Sequence, residues 1–228
     1  MADFFLPHHV HFCYRGDAAV FLDLKQDDYT FVGVEGAAAL RELSSSDIGA
    51  KTPQLLAELK TLADGGLLTN DRRAGRAVTP TVDAPASEPL LDYEALPTVR
   101  VSPGHVCNFF AASTIAAAQL RWSKLERTIA RVQRRKAGRA SSMSVDLDRA
   151  RELVAIFERL RSWFPRGYLC LYDSLALIEF LARYGVFPSW MFGVRLEPWS
   201  AHCWVQEAGF AFNENVEEAA GYTPVMVI

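Results

Sequence analysis

Cys170 and His202 are the residues of this chain whose types and settings best suit chemistry. Cys170 opens an apolar, helix-patterned run, CLYDSLALIEFLARYG, just after Arg166-Gly167 breaks the preceding helix. In the first turn of a helix a thiol meets unpaired backbone N–H groups and the positive end of the helix dipole, both of which favour the thiolate. The same N–H groups can donate to an oxyanion formed beside the sulfur. His202 lies in the strand-like SAHCWVQ, where Trp204 and Gln206 share its face and Cys203 and Val205 take the other. An imidazole beside an indole suits a general base shielded from water. A turn expected at Ala208-Gly209 returns Glu214 beside His202, where a carboxylate would fix the ring tautomer; Asn213 and Asn215 are rivals for that role. Cys170, His202 and Glu214 would then be nucleophile, proton shuttle and orienting group for attack on amide carbonyls.

Each residue also has an ordinary reading. A cysteine in an apolar segment is commonly a small buried hydrophobe, and a strand histidine is commonly core. Glu214 sits in NENVEE, which also reads as a solvated acidic end. Cys203 is expected to point away from His202 and is a poor nucleophile candidate. His8, His9 and His11 cluster near the N-terminus without a cysteine or carboxylate spaced to complete a metal site, so no metal is expected and solvated or edge-strand histidines are the reading preferred. The basic stretch Arg127, Arg131, Arg134, Arg135, Lys136 and Arg139 lacks interleaved aromatics, which favours a solvated helix face over nucleic-acid binding.

The elements that must carry these residues fall into two groups. HVHFCYR, AAVFLDLK and YTFVGV read as strands, the last two joined by a hairpin at Gln26-Asp27-Asp28. Val20, Leu22 and Leu24 alternate with Phe21 and Asp23, which predicts one face more buried than the other. Three helices follow: EGAAALREL, a short SSDIGA capped by Ser46 or Asp47, and QLLAELKTLADGG. Thr52 and Pro53 start the last and Gly65-Gly66 stops it, with Leu55, Leu56, Leu59 and Leu62 along one face. Three strands and then three helices is the order of a winged-helix-like domain, assigned to residues 1–70. Residues 71–99 are proline-rich without periodicity and read as a linker, ordered in part where Leu90, Leu91 and Tyr93 dock. From residue 100 to 228 the pattern is a long helix over 104–136, a helix LDRARELVAIFERLRSWF running to Pro165, the Cys170 helix, and strands SWMFGVRLE, SAHCWVQEA and GFAFNENV. Helices before an antiparallel sheet is the α+β order of a papain- or transglutaminase-like cysteine peptidase domain.

Composition constrains without deciding. The chain has 228 residues, 50% apolar and 22% charged, enough for one large domain or two small ones. A net charge of -3 gives no overall attraction to nucleic acid. MADFFLPHHVHF lacks the parts of a signal peptide, and no uncharged apolar run is long enough to span a membrane. Four cysteines without a CxxC pair fit free thiols in a cytoplasmic setting.

Residues 166 to 215 resemble the leader peptidases of lasso peptide biosynthesis, the transglutaminase-like B proteins. The resemblance is carried by Cys170-Leu171, Ser174-Leu175-Ala176-Leu177, Leu181, Gly185, Gly193-Val194-Arg195, Ala201-His202-x-Trp204-Val205, and Asn213 before an acidic residue. That family usually reads A-H-A-W-V-E and N-D at the last two places; Cys203, Gln206 and Glu214 depart from it here. The N-terminal group is similar, in its order of elements, to the pyrroloquinoline quinone D-type chaperone that serves such peptidases as a peptide reader.

The resemblance implies a division of labour. A leader peptide would add a strand at Tyr29–Val34 against the helix Pro53–Ala63, contacting Tyr29, Phe31, Val32, Leu56 and Leu59, though Phe31, Leu56 and Leu59 also read as core. The peptidase would cut leader from core, and a partner cyclase resembling asparagine synthetase would close the macrolactam. No phosphate-binding loop is present in the sequence, no bound cofactor is expected, and any ATP dependence is assigned to that cyclase. Two other readings keep the same residues: an acyltransferase, and a non-catalytic leader-binding scaffold.

Overall fold

The computed structural model describes residues 3–44, 52–92, 97–138, 145–164 and 167–228. The chain is mixed α/β and divides into two compact units, residues 1–83 with 223–226, and 84–222 with 227–228.

In the first unit β1 (Leu6–Pro7) leads into β2 (Val10–Arg15), β3 (Ala18–Asp23) and β4 (Asp28–Val32). The last three form an antiparallel sheet of order β2–β3–β4, with Asp23 opposite Asp28 across the hairpin. Asp27 takes positive φ in that turn, a conformation aspartate tolerates better than most residues. The two faces of β3 do not differ in burial as the sequence alternation suggested: Ala19 through Leu24 are all buried. A central strand with both faces covered is selected for apolar residues on both.

Helix α1 (Val34–Ser44) and helix α2 (Pro53–Asp64) lay Ala37, Leu40, Leu55, Leu59 and Leu62 against Phe12, Phe21 and Val32. Thr52 caps α2 by accepting from the Leu55 N–H at 3.2 Å, and Pro53 fills the first position, where its missing N–H costs nothing. The expected SSDIGA helix lies outside the described residues. The stretch expected to be a linker makes specific contacts: β5 (Gly75–Arg76) pairs with β1, and the Thr81 N–H donates to Phe12 O at 2.8 Å.

In the second unit β6 (Glu88–Pro89) pairs with a later strand, and Leu90 and Leu91 are buried; Tyr93 lies outside the described residues. Helices α3 (Pro103–Trp122), α4 (Leu125–Ala137), α5 (Leu147–Arg161) and α6 (Cys170–Ala182) follow. Then come β7 (Ser189–Leu196), β8 (Trp199–Glu207), β9 (Phe210–Ala211) and the short α7 (Val216–Ala220). Within this unit the sheet order is β7–β8–β9–β6.

The single long helix predicted over 104–136 is two. Ser123 and Lys124 are both extended, so the chain breaks between α3 and α4. The break reorients the basic stretch. Arg135 donates to the buried Glu179 at 2.8 Å, and Lys136 donates to Ser189 Oγ at 3.0 Å and Ile228 O at 3.2 Å. These two cations are therefore structural, which corrects the reading of the whole stretch as a solvated face. Burial lowers the Lys136 pKa, as expected for an ammonium drawn out of water.

Helix α6 is the centre of this unit, with Tyr172 through Leu181 buried. Phe157 of α5 packs between Phe109 of α3 and Phe180 of α6, with ring centroids 5.3 and 5.6 Å away. Glu179, 3% exposed, is held by Arg135, by Arg183 at 3.8 Å and by Gln119 at 3.1 Å. Removing one member of such a group strands the others in low dielectric. Glu179→Ala should lower unfolding stability by roughly 2–4 kcal/mol, less than a sealed pair would lose because Arg135 can turn toward water. Denaturant titration of the variant checks this.

Candidate functional site

Cys170 is the first residue of α6, and the segment before it is clamped. Asp173, 2% exposed, accepts the Leu169 N–H at 2.7 Å and pairs with Arg161 of α5 through a short contact. Arg161 also donates to Gly167 O at 3.2 Å and Phe164 O at 3.4 Å. One guanidinium and one carboxylate thus fix the turn that delivers the thiol. Glu158 lies near the same pair; its burial and then the Asp173 charge push its carboxyl up to about 7.

His202 sits on β8 opposite Gly193 of β7. Its Nε2 meets Glu214 Oε2 at 2.5 Å, and both side chains are 13% exposed, so the contact is shielded from solvent. With Nε2 occupied by the carboxylate, Nδ1 is the nitrogen left to serve the thiol. The ring packs against Trp204, stacked at 6.0 Å between centroids, and Tyr222 at 5.1 Å, and those two rings lie 6.4 Å from each other, so the three form one triangular cluster. Gly193 makes room for that cluster: a Cβ there would come within 2.9 Å of both Trp204 and Tyr222.

Glu214 arrives by the expected turn. Ala208 and Gly209 both take positive φ, and β9 ends at Ala211, so the acid stands on a loop rather than a strand. That loop is pinned by Asn213, whose Oδ1 accepts the Val205 N–H at 2.8 Å and whose Nδ2 donates to Ser174 Oγ at 3.1 Å. Ser174 donates in turn to Cys203 O at 3.2 Å, and Tyr168 Oη donates to Asn213 O at 3.2 Å. Asn213 is therefore not the group facing His202; it joins the acid loop, β8 and α6 together. Asn215 caps α7 through the Glu217 N–H at 2.8 Å, which leaves Glu214 as the partner of His202.

The electrostatics follow from these contacts. The Cys203 thiol and then His202 contact the Cys170 sulfur, and together with the Cys203 backbone N–H they overcome burial and pull the Cys170 thiol down to about 4. Burial works against the imidazolium of His202, but its bonds to Cys170 and Glu214 outweigh that and carry it up to about 9. Thiolate and imidazolium thus coexist from about pH 4 to pH 9. Cys203 behaves otherwise: full burial, reinforced by Cys170, holds its thiol well above the ordinary range. Cys203 does leave the His202 face, as strand alternation requires, yet its thiol lies beside Cys170 rather than away from the site.

One position that departs from the pattern of the resembled peptidases, Gln206, makes specific bonds here. Gln206 Oε1 accepts from Trp204 Nε1 and from the Ala86 N–H, each at 2.8 Å, while its Nε2 donates to Ala84 O at 3.0 Å. A glutamate could accept the first two bonds but could not make the third.

The five residues expected to touch a leader peptide separate by burial. Leu59 is fully buried and Val32 is 8% exposed within the first unit's core, so neither presents a side chain to a peptide. Phe31 is 60% exposed, Tyr29 and Leu56 are half-buried. β4 ends the sheet order. The outer row of β2 is taken by the Thr81 N–H and by Arg76, which donates to Val10 O at 2.8 Å, while β4 has no strand on its outer side among the described residues. His11, beside Arg76, is half-buried on the edge strand β2, the second of the two sequence readings; burial and then that cation lower it to about 4. His9 lies 3.8 Å from Asp23, and no group of three metal-ligating side chains occurs among the described residues.

Arg161, Asp173 and the Ser174–Asn213 link were not singled out from the sequence for these roles. Asp173 left a signal: a carboxylate inside an apolar helix must have a partner.

The ion pair predicts that iodoacetamide modifies Cys170 at a nearly constant rate from about pH 5 to pH 8, while a simple thiol with a pKa of about 8.5 slows about tenfold per pH unit below that value. Following Cys170 carbamidomethylation by peptide mass spectrometry decides it. Asn213→Ala should cost about 1–3 kcal/mol of stability, because the Val205 N–H loses its acceptor in a buried place. It should also abolish the flat alkylation profile, a change that a purely structural loss elsewhere would not produce.

Comparison with known proteins finds a family model, described as the transglutaminase-like superfamily, matching residues 113–227. No curated protein and no solved structure matches the chain.

Proposed function

The chain belongs to the transglutaminase-like superfamily, and from that premise we propose that it is a cysteine endopeptidase that cuts the leader from a ribosomally made lasso peptide precursor. The observation that carries the catalytic half is the shielded His202–Glu214 contact at 2.5 Å, and the neighbours that favour the Cys170 thiolate support it. The Cys170 thiolate attacks the scissile carbonyl, and N–H groups at the start of α6 receive the oxyanion. The imidazolium of His202 gives its proton to the leaving amine as the C–N bond breaks. A thioester remains. His202, now neutral, takes a proton from water, the hydroxide releases the leader carboxylate, and Cys170 is restored. Glu214 keeps the ring in one tautomer through both steps.

The substrate half rests on the sequence resemblance, and the first unit agrees with it. Its three-stranded sheet and described helices suit a winged-helix-like reader. The outer edge of β4, with Tyr29 and Phe31, would take an added strand, with Leu56 of α2 as an apolar neighbour. Val32 and Leu59 form the core beneath. A partner cyclase would close the macrolactam and account for any ATP use, in a cytoplasmic setting. No described helix is long and apolar enough to cross a membrane.

An acyltransferase is the second reading, favoured by the family match and by the partial exposure of Cys170, which lets an amine reach the thioester. Product mass separates the two, since hydrolysis leaves a free leader carboxylate and transfer does not. Cys170→Ala should abolish cleavage while leader affinity stays unchanged. His202→Ala should lower kcat/KM by about a thousandfold or more. Cleavage by the Cys170→Ala chain would remove the assignment.

A further inference from the structure

The peptidase cycle uses one thiol, but the site holds two. Cys203 is 2% exposed and its carbonyl accepts from Ser174 Oγ at 3.2 Å. Ser174 lies one helical turn after Cys170 on the same face of α6, so this bond holds the Cys203 segment of β8 against the nucleophile. The Cys203 side chain and backbone N–H both contact the Cys170 sulfur. The remaining thiols have no such neighbour: Cys13 is buried on β2 of the first unit, and Cys107 is exposed on α3. Inert packing would be met by the alanine that the resembled family carries at this place. A sulfur there adds a weak donor and the ability to react with the sulfur beside it.

We propose that Cys203 is a resolving thiol, and that hydroperoxides convert the pair into a reversible Cys170–Cys203 disulfide that closes the active site and protects it. This rests on Cys170 being the nucleophile of the reaction above. The chemistry needs only the peroxide as oxidant. The Cys170 thiolate attacks one peroxide oxygen, the O–O bond breaks, and the departing hydroxide takes a proton and leaves as water. Sulfur is oxidised to the sulfenic acid and the peroxide is reduced. Cys203 sulfur then attacks Cys170 sulfur; the S–S bond forms, the S–OH bond breaks, and hydroxide leaves with the Cys203 proton as a second water. In sum, two thiols and one hydrogen peroxide give one disulfide and two waters.

The burial of the two thiols assigns the order of events. Cys170 is partly exposed and ionised, so it meets the oxidant. Cys203 is sealed and neutral, so it reacts only with a sulfenic acid formed beside it. Capture in contact is intramolecular and competes with a second peroxide, which would otherwise carry Cys170 on to the sulfinic acid that thiols do not reverse.

The test uses the full chain, hydrogen peroxide, and peptide mapping without reduction. The wild type should yield a peptide joining residues 170 and 203, and dithiothreitol should restore Cys170 that reacts with iodoacetamide. Cys203→Ser, near in size, and Cys203→Ala should give no cross-link, accumulate Cys170 sulfinic acid, and lose recovery by about tenfold or more. Cys107→Ser should behave as wild type. Sulfinic acid forming in the wild type as fast as in Cys203→Ser would overturn the proposal and leave Cys203 a packing residue. The readout is chemical and independent of cleavage, so cleavage by the Cys170→Ala chain would count against the peptidase reading alone.

Discussion

Helix α6 buries three polar side chains, Asp173, Ser174 and Glu179, inside an apolar core, and each must be paired. The pairing residues come from nearly every element around it. Asp173 takes Arg161 from α5 and the N–H of Leu169. Ser174 takes β8 through Cys203 O and the acid loop through Asn213. Glu179 takes α3 through Gln119 and α4 through Arg135. A uniformly apolar helix in the same place could slide or rotate with little loss. This one has a single register in which all three groups are satisfied, and that register puts Cys170 under His202. Stability and site geometry are therefore specified by the same hydrogen bonds.

The reactive state follows from that register. A thiolate in a half-buried place is costly unless donors surround it. Here they come from different sources: the imidazolium, a neighbouring thiol, a backbone N–H of β8 and the start of α6. The charges alternate in sign from Cys170 through His202 to Glu214, so the thiolate and the carboxylate both support the cation between them. Trp204 and Tyr222 pack against the His202 ring, whose side chain is 13% exposed and so largely withdrawn from water. The substitution of glutamate for the expected aspartate is accommodated by the loop: Glu214 Oε1 accepts the Asn215 N–H at 2.8 Å, which turns the other oxygen toward His202.

Much of the site was legible in sequence because its signals are local. Cys170 at a helix start, His202 on an alternating strand and the Ala208-Gly209 turn each follow from neighbours within a few residues. The Thr52-Pro53 start of α2 is of the same kind. What stayed hidden depends on distant pairings. Arg135 and Lys136 read as surface because nothing near them in sequence shows Glu179 or Ser189. Ser123 breaks the long helix between two stretches that share an apolar pattern, and no glycine or proline marks it. Val32 and Leu59 shared a pattern with Phe31 and Leu56, and only packing tells core from rim.

The departures at Cys203, Gln206 and Glu214 invited a reading of decay toward a binding scaffold. Decay predicts lost partners, and the structure has the opposite. Glu214 reaches His202, and Gln206 makes a bond to Ala84 O that the usual glutamate could not donate. Cys203 supplies an N–H and a thiol to Cys170. Each altered residue is bonded in a way that uses what the change introduced: a longer acid, an amide, a sulfur. Compensated changes of this kind preserve an arrangement of charges, and neighbours that favour the Cys170 thiolate support the proposed reaction over a binding scaffold.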